Sequence, residues 1–235
     1  MELQEIIDRA RKLVFFSGAG VSTESGIPDF RSQDGLYHQQ YAYDPEVILS
    51  RSFFDRRPEE FFRFYRDKLL VSSACPNPAH IACARLEQAG KMSGVVTQNI
   101  DGLHTDAGSR TVFELHGCVR RNFCMDCGRF YDDGYIRRSE GVPRCACGGI
   151  VKPDVVLYEE PLDEQVMLGA IRAIEAADVM VVAGTSLAVY PAAGLLRYFR
   201  GDRLVVINKT ATPADASADL VLRGPVGQVM GALRI

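Results

Sequence analysis

The sequence predicts an α/β fold: a Rossmann-like, doubly wound parallel sheet with a smaller domain inserted into it. Three observations carry that expectation. Short apolar runs rich in β-branched residues alternate with stretches of helical spacing. The first run ends in a glycine turn, Gly18-Ala19-Gly20. Two segments, residues 37–71 and 118–152, break the alternation and read as insertions.

The expected strands are residues 13–16, 95–97, 112–115, 155–157, 179–183, 204–208 and 220–222. Each is apolar nearly throughout rather than alternating, the pattern of a parallel sheet covered on both faces. Between them, residues 78–89 set Ala79, Ala82, Cys83, Leu86 and Ala89 at steps of three and four behind Pro78. Residues 162–177, with Val166, Ile171 and Ile174, and residues 191–199 read as further helices. Residues 37–71 hold Tyr37, Tyr41, Tyr43, Phe53, Phe54, Phe61, Phe62, Phe64 and Tyr65, punctuated by Pro45 and Pro58, so short helices packed by bulky side chains are expected there. Residues 1–36, 72–117 and 153–235 are assigned to the nucleotide-binding domain; 37–71 and 118–152 form the small one.

Composition narrows the classes. The 235 residues carry a net charge of −3, with 47% hydrophobic and 24% charged residues, ordinary values for a soluble globular protein. No basic field advertises nucleic acid, so direct binding to it is not expected. No apolar run approaches the ~20 residues of a membrane span. The polar, acidic start lacks the layout of a signal peptide. Seven cysteines, an odd number without an export signal, argue against a disulfide framework. A reduced, cytoplasmic setting is the resulting expectation.

Four of those cysteines form two close pairs, Cys124-x-x-Cys127 and Cys145-x-Cys147, separated by 17 residues. Tetrahedral zinc takes four thiolates from two such knuckles, and with all four positions filled by protein the metal is structural, one per chain. Glycines behind each knuckle (Gly128, Gly148, Gly149) let backbone amides turn toward the sulfurs. The alternative is a redox pair plus incidental cysteines. Cys75, Cys83 and Cys118 are expected to be buried fillers. Arg120, Arg121, Arg129, Arg137, Arg138, Arg144 and Lys152 surround the module; they read as a solvated face offsetting thiolate charge, or as a surface for an acidic partner.

The glycine turn exposes backbone N–H groups, and a helix after it would add its positive end for phosphates. A third glycine at position 23 would complete a dehydrogenase fingerprint, but the residue is Thr23, and no acid suited to a ribose occurs about 20 positions on. An NAD(P)-dependent oxidoreductase is therefore disfavoured. Polar residues gather at three further strand ends: Thr97-Gln98-Asn99-Ile100-Asp101, Glu114-Leu115-His116-Gly117 and Gly184-Thr185-Ser186-Leu187. Strand carboxyl ends are where this architecture places its ligand.

Gly18-Ala-Gly-Val-Ser-Thr-Glu-Ser-Gly-Ile-Pro-Asp-Phe-Arg31, Thr97-Gln-Asn-Ile-Asp101, Leu115-His-Gly117, the two knuckles, Lys152-Pro-Asp-Val-Val156 and Gly184-Thr-Ser-Leu-x-Val-x-Pro191, in this order, resemble the sirtuins. These are NAD-dependent protein-lysine deacetylases, and the likeness spans about residues 13–230. It implies that NAD is consumed as a co-substrate. Gly18, Ala19, Gly20, Thr23, Phe30 and Arg31 would line the phosphate and nicotinamide-ribose region. Gln98 and Asn99 would face the ribose, and Ile100 and Asp101 the nicotinamide carboxamide. Gly184, Thr185, Ser186 and Asn208 would hold the adenosine half, with Val226 beneath the adenine. Asn99, Asp101 and His116 are the implied catalytic residues. The acyl oxygen of the modified lysine attacks C1′ of the ribose as nicotinamide leaves. His116 serves as general base on the ribose hydroxyls, suited to the task by an ordinary pKa of about 6.5. Water completes the reaction, releasing lysine and O-acetyl-ADP-ribose.

By the same resemblance an acetylated protein or peptide pairs by strand addition with Val155, Val156 and Tyr158 on one side and Val189 on the other. The usual Phe-Gly-Glu there is Tyr158-Glu159-Glu160, and the acidic pair is expected to favour basic residues beside the target lysine. Members that take succinyl or malonyl lysine carry Tyr-x-x-Arg in the helical insertion; the matching stretch is read as Phe62-Arg63-Phe64-Tyr65, which disfavours acidic acyl groups. Mono-ADP-ribosyl transfer to protein, the other activity of the family, stays as the alternative.

Overall fold

The structure, a computed structural model, describes residues 2–29, 43–71 and 73–235. Strand β1 (Leu13–Ser17) is buried at all five positions, so it needs neighbours on both edges and cover on both faces. On one side lie β2 (Met92–Thr97) and β3 (Val112–Glu114). On the other lie β7 (Val179–Ala183), β8 (Arg203–Ile207) and β9 (Leu220–Leu222). All five pairings are parallel and the order is β3-β2-β1-β7-β8-β9. Within this sheet the chain winds outward from β1 to one edge, then returns to build the other half, so the reversal falls between β1 and β7.

Alternate residues of β1 feed the two faces. Leu13 and Phe15 pack with α1 (Leu3–Arg9), α5 (Pro78–Gln88) and α9 (Val226–Gly231). Val14 and Phe16 pack with α8 (Glu164–Glu175). The spacing-derived helices start where capping chemistry allows. Asn77 caps α5 by accepting from Ala79 N (2.9 Å), with Pro78 at the first helical position. Asp163 caps α8 by accepting from Val166 N (2.9 Å). Residues 191–199 fold as a 3-10 helix, Ala192–Tyr198, rather than an α-helix. A four-residue helix, α6 (Leu103–Asp106), comes after β2.

One expected strand belongs elsewhere. Residues 155–157 do not join the large sheet; Val155 ends β6 (Val151–Val155), which runs antiparallel to β4 (Gly117–Cys124), with β5 (Phe130–Asp132) on the other edge of β4. An apolar run of this length reads the same whichever sheet covers it. Val155 and Leu157 are buried against the helical segment α2 (Pro45–Ile48), α3 (Arg51–Arg56) and α4 (Pro58–Phe64), which continues as a π turn over Tyr65–Leu69. There Phe53, Phe54, Phe61, Phe62, Phe64 and Tyr65 form a core with Val119, Ile136 and Val151. The Phe54–Phe61 and Phe61–Phe62 rings meet edge to face at 5.0 and 5.3 Å. Tyr37 and Tyr41 lie outside the described residues.

The helical segment and the cysteine module bind each other reciprocally. Arg66 donates from Nε to the Ile136 carbonyl (2.9 Å) and from Nη2 to the Gly141 carbonyl (2.7 Å), at the end of α7 (Asp133–Arg138). Arg137 answers by donating to the Leu70 carbonyl (2.7 Å). Cys83 and Cys118 are buried, whereas Cys75 is exposed and fills no core space. Among the described residues no helix is long and apolar enough to cross a membrane.

Candidate active site

The strands β1 and β7 end side by side, and the loops leaving them touch backbone to backbone. Gly18 N donates to Ala183 O (3.1 Å) and Gly20 N to Gly184 O (2.8 Å). A Cβ on Gly20 would lie 2.8 Å from Gly184 Cα; one on Gly184, whose φ is +59°, would lie 2.4 Å from Val21 N. Only glycine permits this approach. In place of the expected helix, two 3-10 turns leave the glycine turn, Ala19–Val21 and Thr23–Ser25. Thr23 Oγ1 donates to Gly20 O (3.1 Å), and Gly26 at φ +82° closes the second turn before a longer helix can form.

Over these strand ends opens a cavity of about 510 Å³. Gly18, Ala19, Gly20 and Thr23 line it from the β1 loop, and Gln98, Asn99, Ile100 and Asp101 from the end of β2. His116 enters after β3, Gly184, Thr185, Ser186 and Val189 after β7, Asn208 after β8, and Val226 at the start of α9. Val155, Val156 and Tyr158 form the wall toward the small sheet. Residues from five strand ends thus converge on one space. Phe30 and Arg31 lie outside the described residues.

Hydrogen bonds fix several of these side chains. Ser22 Oγ donates to Asp101 Oδ2 (2.7 Å) and accepts from Asn99 Nδ2 (3.0 Å), while Asp101 Oδ1 accepts from Leu103 N (2.9 Å). Gln98 Nε2 donates to Thr185 Oγ1 (3.0 Å), joining the ends of β2 and β7 across β1. His116 Nδ1 stands 2.8 Å from the Gln98 carbonyl oxygen. That oxygen only accepts, so Nδ1 carries the proton and Nε2 keeps its lone pair. Burial lowers the His116 pKa from its ordinary value, against the opposing pull of the Gln98 carbonyl. The imidazole is therefore neutral at pH 7 and presents a base.

Sequence reasoning missed Ser22, although it sits within the glycine-turn motif and its hydroxyl bridges Asn99 and Asp101. It also missed Leu49, Lys68 and Leu69, which line the cavity from the helical segment. Phe62, Phe64 and Tyr65, at the stretch matched to a reader of acyl carboxylates, are buried in the small core instead; Lys68 and Leu69, later in the π turn that Tyr65 begins, are what reach the cavity. Two further histidines, His80 and His104, are buried with ring centroids 4.7 Å apart. Burial lowers both, His80 to about 4 despite Asp101 and Asp106, so both are neutral; Asn77 N donates to His80 Nδ1 (3.2 Å) and Ser17 Oγ lies 3.3 Å from His104 Nε2.

The four expected metal ligands also meet. The sulfurs of Cys124, Cys127, Cys145 and Cys147 all lie within 4.8 Å of one another. The Cys147 amide and the Tyr131 hydroxyl, 3.1 Å from Cys145 Sγ, lower the Cys145 thiol to about 6. Cys147 goes the other way: although the Gly149 amide lowers it, the neighbouring thiols push it up to about 12. Four thiols this close ionise together only around a cation, and soft sulfur donors in this number suit zinc. Much of the basic surface around them is paired internally. Arg120 pairs with Asp106, Arg121 with Glu114 and Asp154, Arg137 with Asp133, and Lys152 with Glu160.

Comparison with known proteins agrees with this geometry. A sequence profile described as the Sir2 family matches residues 18–191. A Clostridium perfringens protein named NAD-dependent protein deacetylase is 59% identical over 234 residues, covering 98% of this chain and 96% of its own. A solved Sir2 homologue in complex with ADP-ribose superposes with a TM-score of 0.90 at 39% identity, covering 98% of this chain and 94% of its own. A Sir2 structure holding a deacetylated p53 peptide and 3′-O-acetyl ADP-ribose gives 0.88 at 37% identity, with 98% and 96% covered.

Proposed function

The chain belongs to the Sir2 family, and on that premise we propose that it is an NAD-dependent protein-lysine deacetylase. It consumes NAD as co-substrate, releases nicotinamide, and passes the acyl group of an acetylated protein or peptide to ADP-ribose as O-acetyl-ADP-ribose. The observation that carries the reading is His116. Its Nδ1–H is tied to the Gln98 carbonyl, so Nε2 is left as a neutral base in the same cavity as Asp101, Ser22 and Asn99.

Each residue then has a task its chemistry suits. The Asp101 carboxylate, steered by Ser22 and the Leu103 amide, accepts from the carboxamide NH₂ of nicotinamide. Asn99 and Gln98 face the ribose. His116 Nε2 takes the proton from a ribose hydroxyl as that oxygen attacks the acyl carbon. The loops holding Gly18, Ala19, Gly20 and Thr23 receive phosphates on backbone N–H groups, together with Phe30 and Arg31. Gly184, Thr185, Ser186, Asn208 and Val226 take the adenosine half. The acyl-peptide adds as a strand beside Val155, Val156, Tyr158 and Val189.

One zinc held by Cys124, Cys127, Cys145 and Cys147 braces the small domain and takes no part in the chemistry. We assign residues 1–36, 72–117 and 153–235 to the NAD-binding domain and 37–71 with 118–152 to the small one. The separate buried clusters of the large sheet and of the aromatic core support that division in outline, although Val155 and Leu157 pack in the aromatic core. The requirement of the metal site for reduced thiols supports a cytoplasmic setting. The net charge of −3 and the paired arginines speak against direct nucleic-acid binding.

The test uses labelled NAD with acetylated and unacetylated forms of one peptide. Nicotinamide release that requires the acetyl group, and that is abolished in His116→Ala, is the expected outcome. Label transferred to unacetylated protein would make the chain a mono-ADP-ribosyltransferase instead.

A further inference from the structure

The wall of the cavity formed by residues 155–160 is held from behind by the helical segment. Tyr158 N donates to Leu49 O and Arg51 N donates to Tyr158 O, both at 2.9 Å, a two-bond parallel bridge centred on Ser50 and Tyr158. Immediately after this bridge, Glu159 adopts φ +78°. Glycine occupies that left-handed region without strain, whereas a residue with a Cβ stays there only when its surroundings over-determine it. Here the determining contact is visible. Glu159 Oε2 accepts from Ser52 N at 2.8 Å and Oε1 from Ser52 Oγ at 3.0 Å.

Glu160 is committed as well. Its Oε2 accepts from Leu157 N (2.8 Å) and Lys152 Nζ (3.1 Å), and its Oε1 from Arg51 Nη1 (3.1 Å). Burial opposes its charge, but the Leu157 amide and the Lys152 and Arg51 cations prevail and hold its carboxyl below the usual range. Both carboxylates of the acidic pair therefore turn toward α3 and Lys152. The expectation that they read basic residues beside the target lysine does not follow from where they point.

We infer that Glu159 is a positioning residue: its carboxylate struts the peptide-binding segment against Ser52 and sets the edge on which the acyl-peptide pairs. The inference rests on the deacetylase reading. Strand addition binds through backbone groups, so a segment fixed in advance binds more tightly than one ordered on binding. The strut acts on every peptide alike because it carries no side-chain recognition.

The experiment compares the native protein with E159Q, E159A, E159G and S52A, using acetyl-lysine peptides with lysine-rich or glutamate-rich flanks at saturating NAD. E159A and E159G raise the peptide KM about fivefold for both flank types, the size of losing one ordinary hydrogen bond that preorganises a segment, with kcat unchanged. E159Q, which still offers an acceptor to Ser52 N, restores the native KM, and S52A falls between. An E159A whose KM is native, or altered for lysine-rich flanks alone, overturns the strut. So does an E159G that binds more tightly than native, since backbone strain would then be all that mattered. Amide exchange at Tyr158 and Arg51, which needs no turnover, accelerates in E159A; unchanged protection overturns the strut. A native protein that releases no nicotinamide with acetyl-lysine peptide overturns the deacetylase reading, whereas an active native protein with an indifferent E159A overturns only the strut.

Discussion

Gly20→Ala probes the contact on which the cavity floor depends. The added Cβ would meet Gly184 Cα at 2.8 Å and Gly184 O at 2.9 Å, where ordinary contact begins at 3.4 Å. Both obstacles are backbone, so no side chain can swing aside. The loops must part by about half an ångström, which carries the Gly20 N–Gly184 O bond out of good geometry. Losing that bond costs about 1 kcal/mol and the overpacking ~1–3 kcal/mol, together ~2–4 kcal/mol. If half of this falls on ligand binding, the Kd for NAD rises roughly five- to thirtyfold. The remainder lowers Tm by about 2–8 °C for a chain of this length. Calorimetric titration with NAD in the absence of acyl-peptide reads the first quantity, and thermal melting the second. A Gly20→Ala protein with native Kd and Tm would refute the argument that these loops are packed too closely for a Cβ.

Two other outcomes are expected of the site. His116 is depressed by burial, and on the proposed reading its neutral form is the base, so activity should be lost as pH falls through that lowered pKa. The acid limb of kcat/KM should lie below about 6.5; a limb above it would remove His116 as the base. On the proposed zinc site, treatment with a chelator should release one metal per chain and lower Tm by at least about 10 °C. Metal analysis and circular dichroism check it, and an unchanged melt of metal-free protein would contradict a structural role.

The large sheet was legible because strands buried on both faces leave continuous apolar runs; residues 13–16 became β1 and residues 179–183 β7. The small sheet was not. β4 reads Gly-Cys-Val-Arg-Arg-Asn-Phe-Cys and has solvent along part of its length, so its apolar content falls below what marks a strand. Residues 155–157 were apolar, yet only Val155 joined that sheet, at the end of β6, and Leu157 packed in the aromatic core, since composition says a segment is buried and not against what. The cavity was legible as motifs at strand ends. Its cross-links were not: Ser22 between Asn99 and Asp101, or Glu24 accepting from Gly227 N at 2.5 Å, depend on which loops fold over one another. Lys68 and Leu69 escaped for a related reason. The helical segment carries no motif to fix its register, and a π turn shifts which residues reach inward.

The reciprocal grip of Arg66 and Arg137 has a consequence for how the chain is made. The aromatic helices are synthesised first, but Val119, Ile136 and Val151, which complete their core, come much later. At ~5–20 residues per second, the roughly 85 residues from Tyr65 to Val151 take about 4–17 s to emerge. Throughout that interval Phe53, Phe54, Phe61 and Phe62 lack their full native cover, while β2 emerges within it and is free to pair with β1. A nascent chain of this protein is thus most exposed to aggregation midway through translation. Chaperone access while residues 70–150 are being made should therefore bear on its yield.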